Sequence, residues 1–273
     1  METTLTPPRT LLPRLHLFEL LDQPWYPSAL RDHCTNYLAT VTQRMGVFDA
    51  IAPQLLRGLE SAGADTILDL GSGGGGPLPR LRDLLQREHG RRVRVQQSDL
   101  FPNAQARARA AATGTEYLEQ PVDAMRVPPE LRGMRTLFDA LHHFHPEQAR
   151  AVLADAQERG IPIGVFEVVE RSPKGLLATL FIPLLVLLLT PLIRPLTLPR
   201  LLLTYVVPLF PLVIFWDGLV SALRAHSPGE LRRMTESLQR EGYRWEVGVA
   251  RMPGKPPVTY VLGLPASPPS RGP

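Results

Sequence analysis

The 273-residue chain is poor in several residue types, and each shortage excludes something. It holds one cysteine, Cys34. An internal disulfide framework and a cysteine-rich zinc site are therefore excluded, and a reducing compartment fits. Aromatic residues make up 7% of the chain, and no block of basic residues alternates with them. The formal charge is +4, from 30 Lys and Arg against 26 Asp and Glu. That modest, scattered excess gives no argument for a nucleic-acid partner. Met1 to Pro13 lacks a continuous apolar core and carries three prolines, so it does not read as a secretory signal.

What the chain does have is glycine in one place and leucine in another. Thr66-Ile-Leu-Asp-Leu-Gly-Ser-Gly-Gly-Gly-Gly-Pro77 runs from an apolar segment into a glycine cluster. Such an order reads as a buried strand turning into a helix. Glycine lets the backbone turn sharply and come close to a ligand, and a following helix offers unpaired N–H groups and a positive dipole end. The turn is suited to a nucleotide-like ligand.

Around it, hydrophobic patterning alternates. Helical spacing is expected at Leu15–Leu21, from a Ser28 cap through Val41, and over Val47–Leu59. Leu78–His89, Ala104–Ala112 and Glu147–Arg159 are further helices. Strands are expected at 66–70, 93–98, 115–118, 136–141 and 162–169. A helix at Pro228–Gly242 and a closing antiparallel hairpin, Tyr243–Val249 with Val258–Leu264, follow. This predicts an α/β fold, a doubly wound, mainly parallel seven-stranded sheet. The expected organisation is a helical N-terminal lid over 1–60, a main domain over 61–174 and 222–264, a hydrophobic insertion over 175–221, and a disordered tail over 265–273.

Gly71-x-Gly73-x-x-Gly76 also satisfies the dinucleotide fingerprint, so a nicotinamide oxidoreductase is one reading. Two details oppose it. Asp69 would lie close to a pyrophosphate but suits a ligand with a cationic amino group. Pro77 and Pro79 crowd the first turn of the helix that would cradle a phosphate.

Ile67-Leu-Asp-Leu-Gly-Ser-Gly-Gly-Gly resembles the first motif of the class I S-adenosylmethionine-dependent methyltransferases, and the later strand ends follow in the same order. The resemblance covers roughly residues 40–170 and 228–264. It implies S-adenosylmethionine as cofactor, held at Asp69, Gly71, Ser72, Gly73 and Gly74. It implies that Asp99, with Leu100 beside it, binds the ribose hydroxyls, that Asp123 and Ala124 lie near the adenine, and that Asp139 opens a histidine-containing loop at the site. Physically, Asp99 can accept two hydrogen bonds from a vicinal diol, and loop N–H groups suit a carboxylate. Each carboxylate has a plainer reading as well: Asp69 pinning the loop, Asp99 capping a helix, Asp123 closing an Asx turn.

His142, His143 and His145 are the catalytic candidates, as a general base toward an acceptor hydroxyl. Their alternative is to shape the loop. No supporting ligand is visible in the sequence, so no metal site is expected. Glu167 and Glu170 are further polar groups beside them. Trp25, Tyr26, Tyr37, Trp216 and Asp217 are candidate substrate contacts, Asp217 having a second reading as the cap of a helix over Gly218–Arg224.

Gly175–Ile193 carries no charge over nineteen residues, and Leu201–Trp216 none either. The first run is long enough to span a bilayer. Prolines at 183, 191, 195, 199, 208 and 211 break both runs. Shallow association with one membrane leaflet is expected, with Lys174, Arg194, Arg200 and Arg224 near headgroups. A transmembrane hairpin and a soluble cap over the substrate are the alternatives. The expected function is methyl transfer to a hydrophobic or lipid-like small molecule by a cytoplasmic, membrane-associated enzyme. A membrane-associated binding or assembly protein that kept the fold without catalysis is the alternative from another class.

Overall fold

The computed structural model describes residues 12–266. The arm expected over 1–13 lies almost wholly outside these residues, as does the tail beyond 266. Pro265, expected to begin that tail, is the last residue of the final strand.

The first strand β1 (Thr66–Leu70) runs into the glycine turn, and helix α3 (Leu78–His89) follows it. Its leucines at 78, 81, 84 and 85 are buried on one face, and Gly90 ends it in a left-handed conformation. Then come β2 (Arg94–Ser98), α4 (Ala104–Thr113), β3 (Glu116–Tyr117), β4 (Met134–Phe138), α5 (Pro146–Glu158) and β5 (Ile163–Glu167). The chain closes with α10 (Pro228–Glu236), β6 (Tyr243–Ala250) and β7 (Val258–Pro265). One seven-stranded sheet results, in the order β3-β2-β1-β4-β5-β7-β6. Strands one to five pair in parallel, and β7 runs antiparallel to both its neighbours.

Alternation along the strands divides the core in two. Ile67 of β1 packs with Leu81, Leu85 and Leu55 on one face of the sheet, while Leu68 and Leu70 pack with Val152, Leu153 and Leu231 on the other. Both faces are covered by helices, as a parallel sheet requires. The order of strands reverses beside β1, because the chain crosses from β3 at one edge back to β4. A crevice opens there at the carboxyl ends of β1 and β4. That crevice holds the glycine turn.

Two N-terminal helices precede the sheet, α1 (Ser28–Met45) and α2 (Ala52–Ser61). Ser28 is the first helical residue after Pro27 and makes no capping hydrogen bond, contrary to the expected cap. The helix expected at Leu15–Leu21 is absent. That segment forms neither helix nor strand, because several of its backbone N–H groups are taken up by α9 rather than by its own turns. Leu15 N–H donates to the Leu223 carbonyl, and Leu20 and Leu21 N–H donate to the Asp217 carboxylate at 2.8 and 3.0 Å. The fourth strand ends at Phe138, and a 3₁₀ turn over Leu141–His143 takes the place of its expected last residues.

The apolar insertion is a chain of short helices: α6 (Pro173–Thr179), α7 (Ile182–Leu189), α8 (Leu198–Leu201) and a longer α9 (Leu209–Arg224). Proline sits in the first turn of α6, α7 and α8, and Pro208 precedes α9. Among the described residues no single helix is long and apolar enough to cross a membrane. Two bent pairs, Pro173–Thr179 with Ile182–Leu192 at 40° and Leu198–Val206 with Leu209–Arg224 at 74°, have the length and composition only together. The inner side of the insertion packs on α1, burying Tyr26, Cys34, Tyr37, Val186, Phe210 and Ile214 in a third core. Its outer side leaves Leu177, Leu180, Phe181, Leu184, Leu188 and Leu212 exposed.

Candidate active site

The glycine turn is held from beneath by Asp69. Its carboxylate is buried and accepts from the Ser72 hydroxyl at 2.5 Å and from the Thr136 hydroxyl at 2.7 Å. Burial, with Asp99 nearby, pushes its pKa up to about 7. Asp69 does not line the cavity above. Of its two readings, the structure realises the loop-pinning one.

Above it, Gly71, Ser72, Gly73 and Gly74 line the cavity. Gly73 has φ of 50°, and its N–H donates to Asp99 at 2.7 Å. A side chain at Gly74 would run into the backbone of Thr35 on α1, so the missing Cβ lets the two segments meet. Asp99 also accepts from Phe101 N–H at 2.8 Å and lines the cavity. Burial raises its pKa, against those two donors. The capping of α4 is done by Asn103, which accepts from Ala106 N–H. That leaves the remaining lone pairs of Asp99 for a ligand.

Asp139 sits at the end of β4 with a positive φ of 45° and lines the same cavity. Its carboxylate accepts from Val168 N–H at 2.7 Å, and burial beside Glu167 lifts its pKa to about 7. The other three predicted strand-end contacts lie elsewhere. Asp123 accepts from Met125 N–H in an Asx turn, Ala124 is buried in the core beneath the sheet, and Leu100 points to solvent. None of the three lines the cavity, because the Val122 N–H is tied to the Asp99 carbonyl and Asp123 folds back on its own chain.

The three histidines separate. His145 caps α5 in a capping box with Gln148 and stacks on His16 at 3.7 Å. It is outside the cavity, a correction to its place among the catalytic candidates. His142 and His143 line the cavity. His142 Nδ1 lies 2.7 Å from Glu167 Oε2, while Glu167 Oε1 accepts the Ala140 and Leu141 amides. Burial, then the neighbouring His143, lowers the His142 pKa to about 4, so the ring is neutral at neutral pH. Burial also pulls on His143, but the carboxylates of Glu19 and Asp22 outweigh it and lift that ring to about 9.

Glu19 and Asp22 come from the N-terminal segment and were not anticipated. Arg224 at the end of α9 holds both, at 3.2 and 2.8 Å, and Ser221 donates to Glu19 at 3.0 Å. The signal available in the sequence was two acids, Glu19 and Asp22, in a leucine-rich stretch. Arg31, Thr35 and Lys255 also line the cavity and were likewise missed. Lys255 stands in the loop between β6 and β7, a long way along the chain from the glycines.

The aromatic substrate candidates are displaced. Tyr26 and Tyr37 are buried in the core between α1 and the insertion, and Trp25 is 67% exposed. The Trp216 indole donates to the Phe18 carbonyl at 3.1 Å. None lines the cavity. Tyr26, Tyr37 and Trp216 were used for packing, which their residue type could not distinguish from ligand contact, and Trp25 faces solvent. Asp217 does line it, and it lies inside α9, where it accepts the Leu20 and Leu21 amides instead of capping a helix. Of the cations expected at headgroups, Arg200 and Arg224 are buried, while Lys174 and Arg194 are exposed.

The cavity has a volume of about 740 Å³, within the range of small-molecule sites. Its lining includes the glycine turn, Asp99 and Asp139 on the sheet side. On the insertion side it includes Thr179, Ile182, Ile214, Gly218 and Ala222.

No protein-family model and no curated protein matches the chain. Solved structures do. The plantazolicin methyltransferase BpumL in complex with SAH superposes with a TM-score of 0.51, covering 87% of this chain and 96% of that one at 10% identity. Human N-acetylserotonin methyltransferase in complex with SAM superposes with a TM-score of 0.50, covering 88% of this chain and 57% of that one at 14% identity. The chain has the class I methyltransferase fold. Within that fold the glycine turn after β1, Asp99 after β2 and Asp139 after β4 face one cavity. The antiparallel seventh strand inserted between β5 and β6 completes the sheet.

Proposed function

We propose that the protein transfers the sulfonium methyl group of S-adenosylmethionine to a hydrophobic or lipid-like small molecule. One observation carries this reading: a single cavity joins the glycine turn and Asp99 to the helices of the apolar insertion. A donor held at the turn would place its sulfonium next to an acceptor held by Ile182, Ile214 and Ala222. In the transfer the S–CH₃ bond breaks as a bond to an acceptor O, N or C atom forms. The sulfur leaves as a neutral thioether, and the acceptor's proton passes to solvent or a nearby base. Alignment supplies most of what such a displacement needs. Glu19, Asp22, His142 and His143 are the polar groups that orient the acceptor atom. The joined cavity supports catalysis over the non-catalytic binding reading, which has no use for an acceptor opening. Asp69, sealed under the turn, bears on neither the nicotinamide nor the S-adenosylmethionine reading.

Incubating the protein with methyl-labelled S-adenosylmethionine and lipid extracts, followed by mass spectrometry, tests the reading. A labelled apolar product is expected. Failure to label any extract component, with S-adenosylhomocysteine bound, would leave the donor site and sink the acceptor class.

The same reading places the protein on the cytoplasmic surface of a membrane. Supporting it are the exposed leucines of α6, α7 and α9, with exposed Lys174 and Arg194 in the same stretch of chain. Exposed apolar residues on this scale mark an interaction surface, and basic residues beside them suit anionic headgroups. Flotation with anionic liposomes is the expected result; a protein that stays at the bottom of the gradient refutes it.

A further inference from the structure

Three segments far apart in the chain bring unlike ligand groups together at the cavity wall. The N-terminal segment supplies Glu19, and the turn after β4 supplies His142 and His143. One ligand atom from each lies within 4.8 Å of the others. His143 Nδ1 is 3.5 Å from one oxygen of Glu19, and His142 Nε2 is 3.9 Å from the other. Tetrahedral ligands bonded at ordinary zinc distances stand about 3.4 Å apart, so a modest closing of these side chains encloses an ion.

His142 and Glu19 are oriented as ligands are, and His143, whose Nδ1 bonds Asp22 at 3.1 Å, exchanges that bond and its proton for an ion. The bond between His142 Nδ1 and Glu167 Oε2, 2.7 Å, fixes the ring's orientation. With the proton on Nδ1, the lone pair is on Nε2, which makes no hydrogen bond among the described residues. A carboxylate behind a histidine is the usual outer support of a metal-bound imidazole. Glu19 is arranged likewise. Ser221 and Arg224 both hold its Oε1, at 3.0 and 3.2 Å, leaving Oε2 toward His143. Asp22, 3.1 Å from His143 Nδ1, adds a second carboxylate at the edge of the group.

We propose that Glu19, His142 and His143 form a binding site for a divalent transition-metal ion. Two imidazoles and a carboxylate select zinc or a neighbouring first-row metal over magnesium, which prefers oxygen ligands alone. Three protein ligands leave a coordination position facing the cavity. Resting on the methyl-transfer reading, that position takes an oxygen of the acceptor, so the favoured acceptors are apolar molecules with a hydroxyl or carbonyl able to bind a metal.

The test uses full-length protein stripped with EDTA and titrated with Zn²⁺ or Mg²⁺ by calorimetry. One Zn²⁺ per chain and no Mg²⁺ of comparable affinity are expected. Glu19→Gln and His142→Gln each weaken Zn²⁺ binding by at least roughly 100-fold, and Glu167→Gln by roughly 10- to 100-fold through loss of ring orientation. His145→Asn, outside the group, leaves it unchanged. Wild-type protein that takes no stoichiometric Zn²⁺, or a folded Glu19→Gln, His142→Gln double variant that binds like wild type, overturns the proposal. If that double variant does not fold, the Co²⁺-loaded wild type decides: intense visible ligand-field bands are expected, and their absence overturns it. S-adenosylhomocysteine affinity is measured separately on the stripped protein. Its loss with Zn²⁺ binding intact would sink the methyl-transfer reading and leave the metal site standing.

Discussion

Replacing Asp99 tests the donor site most directly. Its carboxylate accepts Gly73 N–H at 2.7 Å and Phe101 N–H at 2.8 Å, one on each oxygen. Each oxygen keeps a lone pair, and the pair of them matches a vicinal diol. A hydrogen bond to a charged group contributes roughly 1.5–3 kcal/mol. Two made to the ribose, taken at the lower end because the cavity is open to water, give roughly 3 kcal/mol. Since each 1.4 kcal/mol is about tenfold in affinity, Asp99→Ala is expected to weaken S-adenosylhomocysteine roughly 100-fold. Asp99→Asn keeps one acceptor oxygen and the side-chain shape, and is expected to lose roughly tenfold. Calorimetry at 25 °C reads both, with thermal unfolding as a check that the glycine turn is intact. A folded Asp99→Ala protein that binds S-adenosylhomocysteine within a factor of two of wild type would refute the placement of the ribose.

Other expectations concern stability and surface. Asp217→Ala leaves the half-buried Leu20 and Leu21 amides without their acceptor and is expected to cost about 3 kcal/mol, read as a fall of roughly 6–12 °C in Tm; a Tm within a degree of wild type would show that the N-terminal segment is not tied to α9 in this way. Asp69 is lifted to about 7 by burial, so the folded chain keeps a proton that the unfolded chain has released. Its contribution to stability therefore falls as pH rises from about 4 to about 7 and then levels. Asp69→Asn should flatten that part of the urea-midpoint profile between pH 5 and 7, and an unchanged slope would contradict the assignment. Leu153→Ala, in the buried core beneath the sheet, should cost roughly 2–5 kcal/mol in urea unfolding, and less than 1 would mean the site collapses around the gap. Leu184→Glu with Leu188→Glu, both on the exposed face of α7, should abolish liposome flotation and leave Tm nearly unchanged; flotation equal to wild type would remove that face from the membrane reading.

Periodicity was informative where one rule acted alone. Helix α3 was legible to its terminal residues because leucine spacing, two prolines at its start and Gly90 at its end all agree. The same reasoning failed at Leu15–Leu21, whose leucines have helical spacing. There the backbone amides find stronger partners in Asp217 and in the Leu223 carbonyl. Those partners are some 200 positions away, and no local pattern reports them. The carboxylates show the same limit. Asp69, Asp99 and Asp123 each had two readings from sequence, and hydrogen-bond partners separated them: Asp69 and Asp123 serve the backbone and neighbouring hydroxyls, while Asp99 keeps a face toward the cavity.

The aromatic residues were misplaced for a related reason. Tyr26, Tyr37 and Trp216 have the same chemistry whether they line a ligand or a core, and only packing against the insertion tells which.

Local sequence therefore determined the β/α alternation, the closing hairpin and the glycine turn with its acidic neighbours. Each depends on hydrophobic period and backbone freedom within some dozen residues. Tertiary structure alone decided what faces the turn across the cavity. Glu19 and Asp22, His142 and His143, Asp217 and Arg224 meet because the N-terminal segment is clasped between the turn after β4 and helix α9. Contacts between groups so far apart in the chain follow from how the elements pack, and pairwise chemistry read along the sequence does not encode that distance.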